Sequence, residues 1–429
     1  MKTRSIRRAW PIVPVAIACI LAAGPMAAGA SVGPFSLGFK APVPPRPAFH
    51  RHRAHVKPST TYTIDDLITI PSTTIQSSSA IAFNNTGQIL GTGYYHNTWS
   101  CLIFDNGSIV AVRKAAMTYC QPGGISNSNS GSLHFTGWAD ISRSQNEIAF
   151  VGSEGSGSAS VRLLERRQPG ELQEVNNNGV AVGEAYYEPK GGFFMSRPPF
   201  AYSNNAFKPL QPQCVTNLAG CMEATIGDYN NSGSVCPFGG CAITDANLVL
   251  GLDDSTGQLM TYTVGNEGSA ADTPISWGPA YPAGINNENV IAYAYYDPSG
   301  ETYPAYEYQL GASSAVALGT LPGFSCEGYF PISENNTGAV LGFTYNCASQ
   351  PETYFTWDPV NGMQDLGPEI PANSYTGLTP LGINDNGQIL LNLTASDGTN
   401  HWGVLVPQAS GSTKAHRAVR SLRSSIRTI

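Results

Sequence analysis

The chain has 429 residues, with 23 Lys and Arg against 30 Asp and Glu, and a formal charge of -7. Charged residues make up 12 %, well below the ~25 % of ordinary globular domains. Its 46 glycines and 31 prolines argue against long helices, because both residues destabilise helix interiors. The hydrophobic content of 41 % is enough for a core, which excludes a wholly disordered chain.

Residues 1–30 have the pattern of an export signal. Four basic residues within positions 1–8 precede a short apolar stretch at 12–23, and the small residues at 28–30 suit cleavage. Residues 31–58 are basic and rich in proline, which predicts an extended linker. No later apolar run approaches the ~20 residues of a membrane helix. We therefore expect an exported protein, periplasmic or extracellular.

The cysteines agree with export. One of the nine, Cys19, lies in the signal, and eight remain, an even number that suits a disulfide framework. A metal site is disfavoured, since the spacings are not those of zinc motifs and no His lies nearby. We predict no metal and no cofactor. Pairing between sequence neighbours is the simplest of the possible connectivities, and the couples are Cys101 with Cys120, Cys214 with Cys221, Cys236 with Cys241, and Cys326 with Cys347.

A repeated pattern is the most informative feature of the sequence. An apolar residue is followed by two or three Asn or Asp-type residues, then Gly or Asn, then an apolar segment. An Asn/Asp–Gly step is typical of tight hairpin turns, which need positive φ. Copies in one register begin at Phe83 (FNNTGQILG), Val175 (VNNNGVAVG), Ile243 (ITDANLVLG), Ile285 (INNENVIAY) and Ile383 (INDNGQILL). Looser copies begin at Ile141 (ISRSQNEIAFVG) and Ile332 (ISENNTGAVLG).

The seven copies predict an all-β fold. Their mean spacing between Phe83 and Ile383 is 50 residues. A second apolar segment follows most copies and a third follows several, so each unit is a small antiparallel sheet. Periods of this length favour a β-propeller. The last copy has no third strand, and residues 62–67 (YTIDDL) resemble it. We predict a seven-bladed β-propeller over 59–408, closed by the N-terminal strand; the alternatives are six or eight blades, an open solenoid or two sandwiches.

The segments INDNGQILL, VNNNGVAVG and TYFTWDPVNGMQDLG resemble the HAF-repeat family of extracellular bacterial proteins. Its units have the form I-N-[DN]-x-G-x-[IV]-x-G, then a second strand ending in aromatic residues, then D-L-G. The resemblance covers roughly 62–407. It implies an exported, propeller-like protein of undefined activity. The His-Ala-Phe triplet of the family is absent here, with PFAY or YFTW in its place.

No catalytic motif stands out in the sequence. Aromatic residues, however, recur just after the first strand of several repeats, often beside a polar residue. Equivalent positions of different blades lie around one end of a propeller, and tyrosines beside carboxylates suit sugar faces or cationic groups. The alternative is that these rings pack between blades. The candidate ligand-binding residues are Tyr94, Tyr95, His96, Tyr186, Tyr187, Glu188, Tyr295, Tyr296, Asp297 and Tyr345.

Charge is unevenly distributed along the chain. Only nine of the 23 basic residues lie in 59–410, together with all 30 acidic residues, so the body would repel nucleic acid. Residues 409–429 form a basic tail. On a helix, Val419, Leu422, Ile426 and Ile429 would share one face, and such a helix could contact an anionic membrane surface. A solvated tail, or one that contacts the acidic body, is the alternative.

These observations favour a monomeric binding or interaction module over an enzyme. Its expected partner is a carbohydrate or a cell-surface protein. The alternative function is a secreted hydrolase or lyase acting on polysaccharide, with clustered carboxylates or Tyr and His as general acid and base.

Overall fold

The computed structural model describes residues 62–408, except 71–74, 106, 113–116, 128–132, 142–146, 156–157, 165–169, 186–198, 211–242, 254–257, 266–269, 277–279, 349–351 and 368–374, and also 426–428. Every regular element in these residues is a β-strand, which confirms the all-β prediction. All of them belong to one compact unit, Val56–Ile429.

The strands in chain order are β1 (Tyr62–Ile70), β2 (Ile75–Phe83), β3 (Ile89–Tyr95), β4 (Thr98–Asp105), β5 (Ser108–Val112), β6 (Met117–Ile125), β7 (Leu133–Ile141), β8 (Glu147–Gly155), β9 (Ser158–Leu163), β10 (Gly170–Val175), β11 (Ala181–Ala185), β12 (Pro199–Ser203), β13 (Ala206–Pro209), β14 (Leu248–Asp253), β15 (Gln258–Thr263), β16 (Ala270–Ser276), β17 (Ala280–Pro282), β18 (Val290–Tyr295), β19 (Ala305–Gln309), β20 (Val316–Gly319), β21 (Cys326–Glu334), β22 (Val340–Cys347), β23 (Tyr354–Asp358), β24 (Gly362–Asp365), β25 (Tyr375–Ile383), β26 (Ile389–Ala395), β27 (Asn400–Pro407) and β28 (Ile426–Thr428).

The described strands form seven sheets, numbered here in chain order. Sheet 1 is β2-β3-β4-β5-β28, sheet 2 is β6-β7-β8-β9, sheet 3 is β10-β11-β12-β13, sheet 4 is β14-β15-β16, sheet 5 is β17-β18-β19-β20, sheet 6 is β21-β22-β23-β24, and sheet 7 is β25-β26-β27-β1. Within sheets 2 to 6, neighbouring strands follow one another in sequence and pair antiparallel.

Sheet 7 combines strands from the two ends of the described chain. Strand β1 pairs antiparallel with β27, from Tyr62 opposite Pro407 to Ile70 opposite Asn400. The segment predicted at 62–67 to be the missing strand therefore lies in that position, beside the last repeat.

The repeated Asn builds the turn between the first two strands of a sheet. In sheet 7, Oδ1 of Asn384 accepts the backbone N–H groups of Asn386 and Gln388, each at 3.0 Å. Its Nδ2 donates to the carbonyl of Asn84 in sheet 1, at 3.2 Å. The turn then needs a residue at positive φ, and Gly387 has φ 70°. The Asn–x–x–Gly pattern thus makes one turn and links it to the next sheet.

A second series of hydrogen bonds links all seven turns in a cycle. The donor is the residue that follows the repeated Asn position, as Asn85 follows Asn84. Its backbone N–H donates to the side-chain oxygen of the equivalent residue in the next sheet, at 2.6–3.0 Å. The members, here called the turn ring, are in order Asn85, Asn127, Asn177, Asp245, Asn287, Asn336 and Asp385, and Asp385 donates to Asn85.

The turn ring corrects one predicted repeat. Its second member, Asn127, belongs to a copy that begins at Ile125, not at Ile141, which is the last residue of the second strand of sheet 2. The position usually held by Asn is Ser126 here, so the copy lacks the side-chain amide. In the looser copy from Ile332, the two extra residues place Glu334 where the other copies have an apolar residue.

The hydrophobic core lies between neighbouring sheets. Ile75 and Leu102 of sheet 1 pack with Trp402 of sheet 7, and all three side chains are fully buried. Sheets 1 and 2 share a second cluster that includes Leu90 and Phe135. Similar clusters lie between the other neighbouring sheets, from sheets 2 and 3 to sheets 6 and 7, so each sheet buries both faces, as blade-like units must.

Two predicted disulfides lie in the described residues and are confirmed. Cys101–Cys120 joins sheet 1 to sheet 2, and Cys326–Cys347 joins directly opposed residues of β21 and β22. The couples Cys214 with Cys221 and Cys236 with Cys241 lie outside the described residues.

The described end of the C-terminal tail is not part of the helix that the sequence analysis considered. Ile426–Thr428 form a strand, β28, that pairs parallel with β5 through Ile426 opposite Ile109. The outer strand of sheet 1 has four buried apolar residues and no charge. Backbone pairing covers this edge, which is the kind of strand that proteins shield from intermolecular pairing.

Candidate functional site

The candidate aromatic residues lie at the end of the sheets opposite the turn ring. Strand β3 begins at Ile89, beside the Asn turn, and ends at Tyr95, opposite Ile75. Tyr295 and Tyr345 lie near the corresponding ends of β18 and β22. Tyr186, Tyr187 and Glu188 lie outside the described residues.

The three candidate residues in sheet 1, Tyr94, Tyr95 and His96, differ in their surroundings. Tyr95 is 4 % exposed and belongs to the core with Ile75 and Leu102, so its role there is packing. His96 is exposed in a tight turn at φ 47° and contacts the ring of Tyr95 at 4.2 Å. Tyr94 is half-buried and begins a row of rings that continues through Trp99, Tyr119 and Trp138, with centroid distances of 5.8, 6.4 and 5.1 Å.

Sheets 5 and 6 bring the other candidates into one cluster. Tyr296 lies 5.1 Å from Tyr303, which lies 5.1 Å from Phe330, and Phe330 contacts Tyr345 edge-on at 6.0 Å. These rings are half-buried, so each combines packing with an accessible face. Two further rings complete the set, called the aromatic site: Tyr281, Tyr296, Tyr303, Phe330, Phe343 and Tyr345.

The loop between β18 and β19 holds two of these rings in place. Asp297 and Thr302 form an isolated bridge, with the N–H of Asp297 donating to the Thr302 carbonyl at 2.7 Å. Tyr303 then pairs with sheet 6, because its N–H donates to the Glu327 carbonyl at 2.6 Å and its carbonyl accepts from Tyr329 at 2.9 Å. A loop from sheet 5 is thereby fixed onto sheet 6.

The polar groups of this site include the carboxylate of Asp297 and neutral hydroxyls. The Ser299 hydroxyl and backbone N–H both donate to Oδ1 of Asp297, at 2.7 and 2.9 Å, and these bonds hold the pKa of Asp297 below its usual value. Burial and the neighbouring tyrosines raise the pKa of Tyr303, so its phenol stays neutral. Tyr295, next to Tyr296, is 37 % exposed.

The sequence identified Tyr296, Asp297 and Tyr345 but missed the residues that connect them. Tyr303 and Phe330 are not preceded by a repeat motif, since they lie in the β18–β19 loop and in the first strand of sheet 6. Their signal is pairing: Phe330 stands opposite Phe343, and Gly328 opposite Tyr345. A glycine there leaves room, because a Cβ on Gly328 would lie 2.5 Å from the Phe330 ring.

The turn-ring end contains a cavity of about 180 Å³, lined by residues from all seven sheets. Its two ring carboxylates are fully used by the fold. Oδ2 of Asp245 accepts from the amides of Asn177 and Asn287, and Oδ2 of Asp385 from those of Asn85 and Asn336, all within 2.6–3.0 Å. These two carboxylates therefore stabilise the turns.

A histidine network lies in sheet 7, where β1 joins β27. Nδ1 of His401 lies 2.8 Å from Oδ2 of Asp66, and that oxygen accepts a hydrogen bond from the hydroxyl of Tyr375 at 2.6 Å. Nε2 of His401 is 3.0 Å from Oγ1 of Thr399, and that hydroxyl donates to Asp397 at 2.6 Å. The network connects a buried His to the exposed hairpin at 396–399.

Across the described residues, no group of three or more His, Cys, Asp or Glu side chains is placed to hold a metal ion. No helix found in the described part is long and apolar enough to cross a membrane.

No family model matches the chain, and no curated protein matches it. Among solved structures it is similar to a catalytically inactive virginiamycin B lyase from Staphylococcus aureus with quinupristin (10 % identity, TM-score 0.43, 80 % of this chain and 99 % of that one). It is also similar to the β-propeller domain of the Trilobed protease from Pyrococcus furiosus (8 %, 0.42, 68 % and 86 %) and to a xyloglucanase from Xanthomonas campestris (10 %, 0.43, 80 % and 53 %). At these TM-scores and identities, none carries an inference about the activity of this chain.

Proposed function

We propose that the chain is an exported, seven-bladed β-propeller of the HAF-repeat type that binds carbohydrate through the aromatic site. The cyclic turn ring and the pairing of β1 with β27 support a closed ring of seven blades. Disulfides suit an oxidising compartment, which supports export. In this proposal, the basic tail contacts the protein's own acidic body.

One observation carries the binding function: six half-buried rings from two sheets converge with an anionic loop at one end of the fold. Side chains that only fill a core do not keep accessible faces. Tyr presents both an apolar face for a sugar ring and a hydroxyl for its polar edge. Tyr303 connects the rings of the two sheets, since its own ring contacts those of Tyr281 and Tyr296 in sheet 5 and that of Phe330 in sheet 6.

The test uses the full oxidised protein on a panel of immobilised polysaccharides. Tyr303→Ala should lower retention about fivefold or more, since loss of one stacking ring and its buried surface costs on the order of 1–3 kcal/mol. Val360→Ala is the control, because Val360 is 68 % exposed in the β23–β24 turn of sheet 6. Circular dichroism would verify that both variants fold. Equal retention by wild type and a folded Tyr303→Ala variant would contradict the proposal, and retention by a cell-surface protein alone would replace it.

A polysaccharide hydrolase or lyase is the second candidate, and the histidine network favours it. His401 has the Asp66 carboxylate beside one ring nitrogen, and its other nitrogen, Nε2, faces a Thr399 hydroxyl that donates to Asp397, so Nε2 donates to that oxygen and presents the N–H that a general acid needs. New chain ends, measured in the same wells, would support this function. The new chain ends should disappear in the His401→Gln variant. They should persist in the His96→Gln control, because His96 is exposed and lies outside the histidine network.

A further inference from the structure

The part of the sequence that contains the aromatic site has no Lys or Arg. No Lys or Arg occurs from 209 to 413, and 19 of the 30 acidic residues lie there. Sheets 5 and 6 fall entirely within this stretch. Their negative charge is therefore not neutralised by Lys or Arg from the same sheets.

Four carboxylates stand in the segments that hold the rings. Asp297 and the exposed Glu301 lie in the loop between Tyr296 and Tyr303. Glu301 is held at φ 53°, in the tight turn that closes this loop.

The other two carboxylates come from sheet 6. Glu327 is exposed, and its backbone carbonyl is the group that fixes Tyr303. Glu352 is exposed, and its Oε1 accepts the N–H of Asn346, the residue after Tyr345, at 3.0 Å. The Cys326–Cys347 disulfide joins β21, which carries Glu327, to β22, which carries Tyr345 and Asn346.

We propose that the ligand of the aromatic site is a cationic polysaccharide, whose sugar rings carry free ammonium groups, such as partly deacetylated chitin. This inference rests on the proposed carbohydrate-binding function. Tyrosine rings attract ammonium groups through their quadrupole as well as stacking on sugar faces. The carboxylates add Coulomb attraction for a cationic polymer and repel an anionic one.

The experiment compares three soluble oligosaccharides of equal length by calorimetry: glucosamine, N-acetylglucosamine and galacturonate oligomers. At low salt, the glucosamine oligomer should bind about tenfold more tightly than the neutral one, with the difference shrinking as salt screens the charges. The galacturonate oligomer should not bind. Measurements at a mildly acidic pH keep the amines charged.

Variants distinguish the contribution of charge from that of the rings. Glu301→Gln with Glu327→Gln should weaken glucosamine binding at least about fivefold and leave N-acetylglucosamine binding unchanged, because only the cationic ligand uses those charges. Tyr303→Ala should weaken both. Glu288→Gln is the control, since Glu288 is an exposed carboxylate of the same sheet at the turn-ring end.

Each contrary result has a separate meaning. Equal, Tyr303-dependent affinity for the cationic and neutral oligomers would overturn the charge inference and leave carbohydrate binding intact. Tight glucosamine binding that does not respond to Tyr303→Ala would show attraction to the acidic body in general and overturn this site. Absence of binding to all three oligomers would overturn the charge inference, and the proposed function would then stand or fall by Tyr303-dependent retention on the polysaccharide panel.

Discussion

The backbone N–H of Asp385 donates to Oδ1 of Asn85 at 2.9 Å, across 300 residues of sequence, and Nδ2 of Asn85 donates back to Oδ2 of Asp385 at 2.6 Å. This reciprocal pair joins the last sheet to the first. Asn336, in sheet 6, donates its own amide to the same Oδ2 at 3.0 Å. One carboxylate thus receives donors from both neighbouring sheets, which explains why an acid rather than an amide occupies this position.

Replacing that carboxylate by an amide should destabilise the protein. Two side-chain amides donate to Oδ2 of Asp385, and the backbone N–H of Asn336 donates to Oδ1. In Asp385→Asn, an NH₂ group replaces one of these two oxygens and cannot accept its hydrogen bonds. Each lost hydrogen bond to a charged acceptor costs about 1.5–3 kcal/mol. Urea unfolding should show a loss of about 2–3 kcal/mol with unchanged m-value. Asp397→Asn is the control. Both hydrogen bonds from Thr399 go to one oxygen of Asp397, Oδ1, and an Asn side chain keeps that oxygen. Equal stability of the two variants would contradict a stabilising role for the turn ring.

A buried acid pair predicts a pH dependence of stability. Glu334 lies at a position that is apolar in the other copies. Burial and the charge of Glu307 raise the pKa of Glu334 to about 8. Burial raises the pKa of Glu307 to about 7. Asn286 donates to Oε1 of Glu334 at 2.8 Å, while Oε2 of Glu334 and Oε1 of Glu307 are buried without hydrogen bonds. Because the folded state holds these protons more tightly than the unfolded chain, stability should fall as pH rises from about 4.5 to 8.

Glu334→Gln should remove part of that dependence. The amide mimics the protonated acid and keeps an oxygen for Asn286. We expect similar stability of variant and wild type near pH 4.5 and an advantage for the variant on the order of 2 kcal/mol at pH 8. Urea midpoints at several pH values provide the measurement, with Glu288→Gln as the exposed control. A wild-type stability that does not change over this range would rule out the buried, protonated pair.

The junction of β1 with sheet 7 gives a separate prediction. Tyr375→Phe removes the hydroxyl that donates to Asp66 and leaves the ring contact with His401, whose centroid is 5.7 Å away. The variant should lose about 1–2 kcal/mol, because a bond to a charged acceptor disappears. Hydrogen exchange of the β1 amides should accelerate with it. Tyr306→Phe, a half-buried ring in β19, should change stability by less than about 0.5 kcal/mol; equal effects would show that the hydroxyl of Tyr375 does not hold β1.

The repeated Asn–x–x–Gly pattern allowed the turns and the all-β class to be predicted, because one residue performs several local functions. The copy from Ile243 was predicted although Thr244 takes the place of Asn, but the second copy, with Ser126 there, was not. In the second copy, Ser126 accepts the N–H of His134 at 2.9 Å through its hydroxyl, and its carbonyl accepts from Asn84, so the turn persists without the amide. The segment from Ile141 (ISRSQNEIAFVG) resembles the motif because polar residues and then an apolar strand follow it.

The site was only partly predictable for a different reason. Tyr296 and Asp297 follow a recognisable strand, but their partners Tyr303 and Phe330 are brought in by pairing between sheets. The Asp66–His401 contact joins residues from opposite ends of the chain. Such contacts depend on tertiary register, which no local pattern contains.

The two disulfides should differ in their effect on binding. Their sequence separations, 19 and 21, predict similar losses of about 3 kcal/mol when either is replaced by a pair of serines. Cys326–Cys347 lies next to Glu327 and Tyr345, so its loss should also weaken polysaccharide retention. Cys101–Cys120 joins sheets 1 and 2, away from the aromatic site, and its removal is the matched control. Non-reducing peptide mapping should detect both pairs. Different connectivity would contradict the structure, and equal weakening by both double variants would place the binding surface elsewhere.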